Sequence, residues 1–345
     1  MRRLRGRTVA SSSSSSSGTA AAAATAGVAG PAAMAALVVM TALVVLLAAA
    51  LAAPAAAQPR PGRPGTRPYL SRANPVAVPP SSAASPRIIN GQPVSEADEA
   101  FGARFMVKLL LPRGAADFSY YCAGSLVSRN KVVTAAHCVS GFDTSNDIVR
   151  IGGLTLTDGF QRNIERTDIH PDFNFATFAC DFAVITVANP PTDEEYERAG
   201  IVYARLNFNP AWPSLGKTVT LTGWGSVDGG SLVASPVLRV TSFRRDRFRT
   251  CANYLEDNNL PVVGLNVKTM ICFSLADNTA SCGGDSGAPV WRFFEKPGFR
   301  SYWRIYGVVS FGYQDPANAT DVCPPGGPDY YARLSVAEAW FQTVL

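Results

Sequence analysis

Three short segments hold the residue types that nucleophilic chemistry requires. Cys282-Gly283-Gly284-Asp285-Ser286-Gly287-Ala288-Pro289 sets a serine between glycines, directly after an aspartate. Well upstream, Val133-Thr134-Ala135-Ala136-His137-Cys138 contains one of the chain's 2 histidines. Asp181 lies between them in the apolar run Cys180-Asp181-Phe182-Ala183-Val184-Ile185. A serine hydroxyl is a poor nucleophile at neutral pH and needs an adjacent base. Histidine, with an ordinary pKa of about 6.5, can take a proton and return it within one cycle. Its second ring nitrogen needs a buried acceptor that fixes the tautomer. Charge developing on an attacked carbonyl oxygen needs preorganised N–H donors, and a glycine has the backbone freedom to aim one.

Such groups must be held by a scaffold, and residues 88–345 describe one. Short Val/Ile/Leu/Phe/Tyr runs, such as 105–111, 148–151, 218–222 and 305–311, recur between Gly, Pro, Asn and Asp clusters. That is an all-β pattern. Only Ser335 to Leu345 reads as helical, with Ala337, Trp340, Phe341 and Val344 on one face.

The preceding 87 residues differ in kind. They have no acidic residue, four arginines within residues 2–7, a serine run from Ser11 to Ser17, and an apolar stretch from Met34 or Ala35 to Ala53 followed by Ala55-Ala56-Ala57. A basic region, an apolar region and a small-residue site predict a secretory signal over residues 1–57, with Met34 an alternative start. The apolar stretch is also long enough for an uncleaved membrane anchor, the alternative reading. Residues 58–87, rich in Pro, Arg, Ser and Ala, bury too little apolar surface to fold alone and read as a propeptide. Nine arginines lie before residue 88, so of 31 basic residues 22 remain beside 26 acidic ones, and the net +5 of the whole chain becomes −4. The basic balance therefore points to no nucleic-acid partner.

The order His, Asp, Ser, each in its local context, resembles the chymotrypsin-like serine peptidases, the trypsin family. That resemblance covers residues 88–345 and implies two six-stranded antiparallel β-barrels with a short C-terminal helix. It implies Ser286 as nucleophile, His137 as general base and then acid, and Asp181 as orienting carboxylate, with backbone N–H groups of Gly284 and Ser286 forming the oxyanion hole. Ala288 stands where glycine is usual. His170, in His170-Pro171-Asp172, resembles a structural turn residue. The main alternative is a catalytically silent relative that keeps the scaffold for binding, although no triad member is missing.

The resemblance also implies disulfides Cys122–Cys138, Cys251–Cys272 and Cys282–Cys323. A further family bridge is absent at both of its positions, Val219 and Arg292. Cys180 is left over, either a buried inert thiol or a partner for another thiol. Arg87-Ile88-Ile89-Asn90-Gly91 resembles the activation site at which cleavage, by another protease or by the enzyme itself, frees the Ile88 amine to pair with Asp285. Ala280 replaces the aspartate that trypsin-like members carry six residues before the nucleophile, and Asp329 falls where a glycine often lines the specificity pocket. Ser310-Phe311-Gly312 resembles the strand that pairs with substrate backbone. Protein or peptide substrates and protein inhibitors are the expected partners, and a secreted, extracellular location is expected. Asn318-Ala319-Thr320 is a glycosylation sequon. Five arginines from Arg239 to Arg249 read as a solvated face, with a polyanion or substrate exosite as the alternative. No metal-ligand cluster, phosphate-cradling loop or repeat is visible in the sequence, so no metal or cofactor is expected.

Overall fold

A computed structural model describes residues 88, 91–94, 103–112, 118–140, 146–227, 233–258, 265–273, 279–295, 297–298, 300–312, 323 and 327–345. Residues 1–57 and 58–87, expected as signal and propeptide, and the sequon at Asn318 lie outside them.

Strands β1 (Gln92–Pro93), β2 (Met106–Pro112), β3 (Phe118–Ser128), β4 (Lys131–Thr134), β5 (Ile148–Ile151), β6 (Phe160–Ile169) and β7 (Ala183–Val187) come first. The last six of these close into a barrel in the order β2-β3-β4-β7-β6-β5. Every residue of β7, Ala-Val-Ile-Thr-Val, is buried, whereas β6 alternates half-buried and exposed positions along Phe-Gln-Arg-Asn-Ile. Period-2 alternation marks a strand with one wet face, and a continuous apolar run marks one covered on both.

A second set follows: β8 (Arg205–Leu206), β9 (Thr218–Gly223), β10 (Arg239–Arg244), β11 (Met270–Phe273), β12 (Pro289–Phe294), β13 (Tyr302–Gly312) and β14 (Asp329–Arg333). These join β1 in an eight-stranded sheet whose main path is β1-β10-β9-β12-β13-β14-β11, with β8 parallel to β13. The six antiparallel strands from β10 to β11 curl round until an isolated bridge, Arg245 to Phe273, joins the two ends. The second barrel is thus closed at one bridge, where the first is closed by a full ladder.

Helices depart from the expectation that only the C-terminus is helical. α1 (Asp193–Arg198) and α2 (Phe248–Asp257) precede the expected α3 (Glu338–Val344). α1 starts on a capping box: Thr192 Oγ1 accepts from Glu195 N, and Glu195 returns the bond to Thr192 N. Its six residues are too few for a helical period to stand out. α2 buries Cys251 and Leu255 and hides among arginines that suggest a solvated loop.

Lys108 in β2 is fully buried. Its Nζ donates to Gly152 O at 2.6 Å and Asp158 O at 2.9 Å and lies 4.5 Å from the Trp224 ring centre. The ammonium therefore clasps the β5–β6 loop to the start of the second barrel. Burial pulls its pKa down to about 7, against the raising influence of Asp158.

Candidate active site

His137 sits in a single 3₁₀ turn, Ala136–Cys138, at the end of β4. The disulfide Cys122–Cys138 ties that turn to β3, and Thr134 Oγ1 donates to Ala123 O at 2.7 Å just before it. Asp181 precedes β7 and is fully buried. Its carboxylate holds the turn twice: Oδ1 accepts from His137 N at 2.9 Å, and Oδ2 lies 2.8 Å from His137 Nδ1. A bond at Nδ1 leaves Nε2 as the other ring nitrogen, 3.9 Å from Cys138 Sγ. Oδ2 also accepts from Ser310 Oγ at 2.5 Å. Sequence reasoning assigned Ser310 only a backbone role, so this side-chain contact across the two barrels was missed.

Ser286 occupies the turn before β12 and is partly exposed. Its carbonyl accepts from Ala123 N at 2.9 Å, and Gly287 N donates to Val309 O at 2.9 Å. The serine turn is thereby fastened to β3 on one side and β13 on the other. A side chain at Gly287 would strike Thr134 Oγ1 and Ala123 O, so only glycine allows the turn this close to the His137 segment. Gly284 adopts φ +95°, a left-handed angle that glycine takes at little cost. Tyr120 fixes the same turn by donating its hydroxyl to Gly284 O at 2.6 Å. Phe178, also unflagged by sequence, packs edge-on against His137 with centroids 5.6 Å apart, and against Phe311 at 5.3 Å.

Asp285 is completely buried, its Oδ1 accepting from Gly225 N at 2.9 Å and its Oδ2 from Cys282 N at 3.0 Å. Burial nevertheless pushes its pKa up to about 7, the two N–H donors only moderating the rise. The Ile88 side chain is also fully buried, and Ile88 O accepts from Gly91 N.

The residues expected to line a specificity pocket come together as well. Ala280 is buried beside the Cys282–Cys323 disulfide. Asp329 is 4% exposed, and its Oδ2 accepts from Ser281 N at 2.7 Å. A Cβ built on Gly312 would lie 3.2 Å from Asp329 Oδ1. The carboxylate thus lies between the Ala280–Ser281 segment and the end of β13, not out in solvent. Burial raises its pKa to about 7, and Asp285 adds to the rise. Phe311 stacks on Tyr330 with centroids 4.9 Å apart.

Cys251–Cys272 joins α2 to β11, and Cys180 is a buried free thiol at φ +52° whose burial raises its pKa. His170 is 7% exposed, accepts from Asp172 N at 3.1 Å through Nδ1 and packs 4.9 Å from the Trp340 ring. The five arginines do not form one solvated face. Arg239 is buried with Nε donating to Ser235 Oγ, and Arg245 donates to Pro213 O, which leaves Arg244, Arg247 and Arg249 exposed.

Residues 88–341 match the family described as Trypsin. Relatives include brachyurin of Leptuca pugilator, 28% identical over 230 residues that make up 66% of this chain and 88% of that protein. Trypsin-1 of Salmo salar is 28% identical over 66% of this chain and 81% of its own length. Serine protease 56 of Homo sapiens is 31% identical over 64% of this chain but only 34% of its own length.

Proposed function

The chain belongs to the trypsin family of serine-type endopeptidases, and from that premise we propose that it is a secreted zymogen, activated by cleavage after Arg87, that cuts peptide bonds through Ser286, His137 and Asp181. The observation that carries the reading is the 2.8 Å bond from His137 Nδ1 to a fully buried Asp181, with the Ser286 turn fastened to the strand beside it.

In this mechanism His137 Nε2 takes the Ser286 proton as Oγ attacks the scissile carbonyl. Asp181 stays ionised and stabilises the imidazolium. The N–H groups of Gly284 and Ser286 receive the oxyanion, a donor pair of which each member is worth on the order of 3 kcal/mol. His137 then gives its proton to the leaving amine. Water repeats the sequence on the acyl-enzyme and releases Ser286.

Activation follows from Asp285. A buried carboxylate without a cation is costly, and the amine freed at Ile88 would supply the cation, ordering the Gly283–Ser286 turn. Secretion is supported by the leader composition and by three disulfides, which persist in oxidising compartments. Glycosylation at Asn318 belongs to the same proposal. The specificity slot would have a methyl floor at Ala280 and a carboxylate at Asp329, favouring basic side chains while tolerating large apolar ones, with Ser310 to Gly312 as the substrate-pairing strand. Arg87 is then a bond the enzyme itself could cut.

The test is labelling by a serine-directed phosphonate. Chain cleaved after Arg87 labels, Ser286→Ala does not, and Arg87→Gln treated with a trypsin-like activator does not. Full labelling of uncleaved Arg87→Gln would overturn the switch, and labelling of Ser286→Ala would overturn the nucleophile.

A further inference from the structure

The outer face of the second sheet carries a feature that peptide hydrolysis does not use. The registers Arg292↔Arg304 and Arg304↔Arg205 line up one arginine from each of β12, β13 and β8. At about 4.8 Å between strands the row spans roughly 10 Å. Directly opposed like charges destabilise a ladder, and among the described residues none of the three forms an ion pair. Aromatic rings hold them instead. Arg205 lies 4.5 Å over Tyr302, Arg304 lies 5.3 Å from Tyr302 and 5.2 Å from Phe294, and Arg292 lies 5.5 Å from Phe294. The two rings, themselves a cross-strand pair, stack at 5.2 Å and 11°.

A guanidinium laid on a ring keeps its N–H edge available, and a preset orientation leaves less side-chain freedom to lose on binding. The row is therefore a comb of oriented anion receptors. Its Arg205 end opens into a cleft of about 780 Å³ lined also by Arg300, Tyr203, Asp193 and Glu197. Arginines there suit anionic groups, while Glu197 and Asp193, whose Oδ1 already accepts from the Tyr203 hydroxyl at 2.5 Å, can accept hydrogen bonds from further hydroxyls. Residues 88–345 carry a net −4, so the domain as a whole repels a polyanion and any attraction must come from a local cluster such as this row. Arg292 lies beyond the Ser286 turn and three positions into β12, about 10 Å along the strand, which sets the face apart from the Ser286 turn.

We propose that the Arg292–Arg304–Arg205 row and the adjoining cleft bind a linear sulfated polysaccharide. A sulfate ester offers three oxygens, enough to span neighbouring guanidinium forks, and the sugar hydroxyls meet Asp193 and Glu197.

The experiment uses the full chain and a heparin dodecasaccharide at about 0.15 M salt. Because the leader holds nine arginines, the first readout is residue-resolved: protection from an arginine-modifying dicarbonyl, read by mass spectrometry. Arg205, Arg292 and Arg304 become protected, and the exposed Arg244, Arg247 and Arg249 do not. The second readout is affinity. Substituting all three row arginines by Gln weakens binding tenfold or more at unchanged melting temperature, and substituting them by Lys weakens it several-fold because the stacked fork is lost. Ser286→Ala binds as the wild type does, so the result is independent of the catalytic assignment. Equal labelling of the row with and without heparin overturns the proposal, as does undiminished binding by the Gln variant. Stronger protection by polyglutamate than by heparin also overturns it, in favour of an acidic peptide.

Discussion

At the scale of single residues, the Asp181 carboxylate shows what burial and hydrogen bonding do together. Asp181 has no solvent contact, so each of its acceptor positions must be filled from within the protein, by His137 N, His137 Nδ1 and Ser310 Oγ. A hydrogen bond to a charged group is worth about 1.5 to 3 kcal/mol. Ser310→Ala should therefore lower kcat/KM by roughly tenfold, mostly in kcat, because it loosens the group that orients His137 and leaves Ser286 intact. A second residue-scale prediction concerns Asp329. Its pKa of about 7 means the carboxyl is largely neutral below pH 7 and charged above it. The ratio of cleavage after Arg to cleavage after Phe should rise as pH increases through about 7 in the wild type, and should be flat and lower in Asp329→Gly. A ratio indifferent to both pH and the substitution would place the carboxylate outside the slot.

Elements, rather than residues, decide how the site is assembled. The 3₁₀ turn of His137, the turn of Ser286 and the end of β13 at Ser310 come from three different strands, and each is pinned by a short cross-link: a disulfide, a pair of backbone bonds, a side-chain bond. α1 sits outside this arrangement. Losing its Thr192 cap should cost about 1 kcal/mol, typical of an N-cap Thr→Ala change. Thr192→Ala should thus lower thermal stability while peptide hydrolysis at 25 °C stays within twofold of wild type, checked by calorimetry beside a chromogenic assay. Of these elements, the short cap of α1 was present in the sequence as Thr192-Asp193-Glu194-Glu195, but six residues hold less than two turns of apolar period. The strands were legible because their runs of β-branched and aromatic residues are bounded by turn formers.

At the scale of the whole molecule, three buried ionisable groups set how stability depends on pH. Asp285 and Asp329, with folded pKa values of about 7, bind more protons in the folded state than in the unfolded one between about pH 4 and 7. Stability therefore falls as pH rises through that window. Lys108, lowered to about 7, is deprotonated in the folded protein but protonated in the unfolded chain between about 7 and 10.5, so its contribution rises with pH there. The uncleaved Ser286→Ala chain should show a minimum in melting temperature near pH 7, where its unfolding free energy is on the order of a few kcal/mol below that at pH 4. Cleavage after Arg87 should shallow the acidic side of that minimum, because the Ile88 amine gives Asp285 a partner. A flat profile, identical before and after cleavage, would contradict both the buried charges and the switch.

Local patterns in the sequence determined the all-β class and the three segments that carry Ser286, His137 and Asp181, because turn chemistry, strand period and residue type are properties of neighbours along the chain. Contacts made across strands were decided only in three dimensions. The bond from Ser310 to Asp181, the placing of Asp329 against Ser281, the clasp of Lys108 and the pairing of Arg304 with Arg205 each join residues 44 or more apart. Strand register sets those meetings, and register depends on how all the strands close around a shared core.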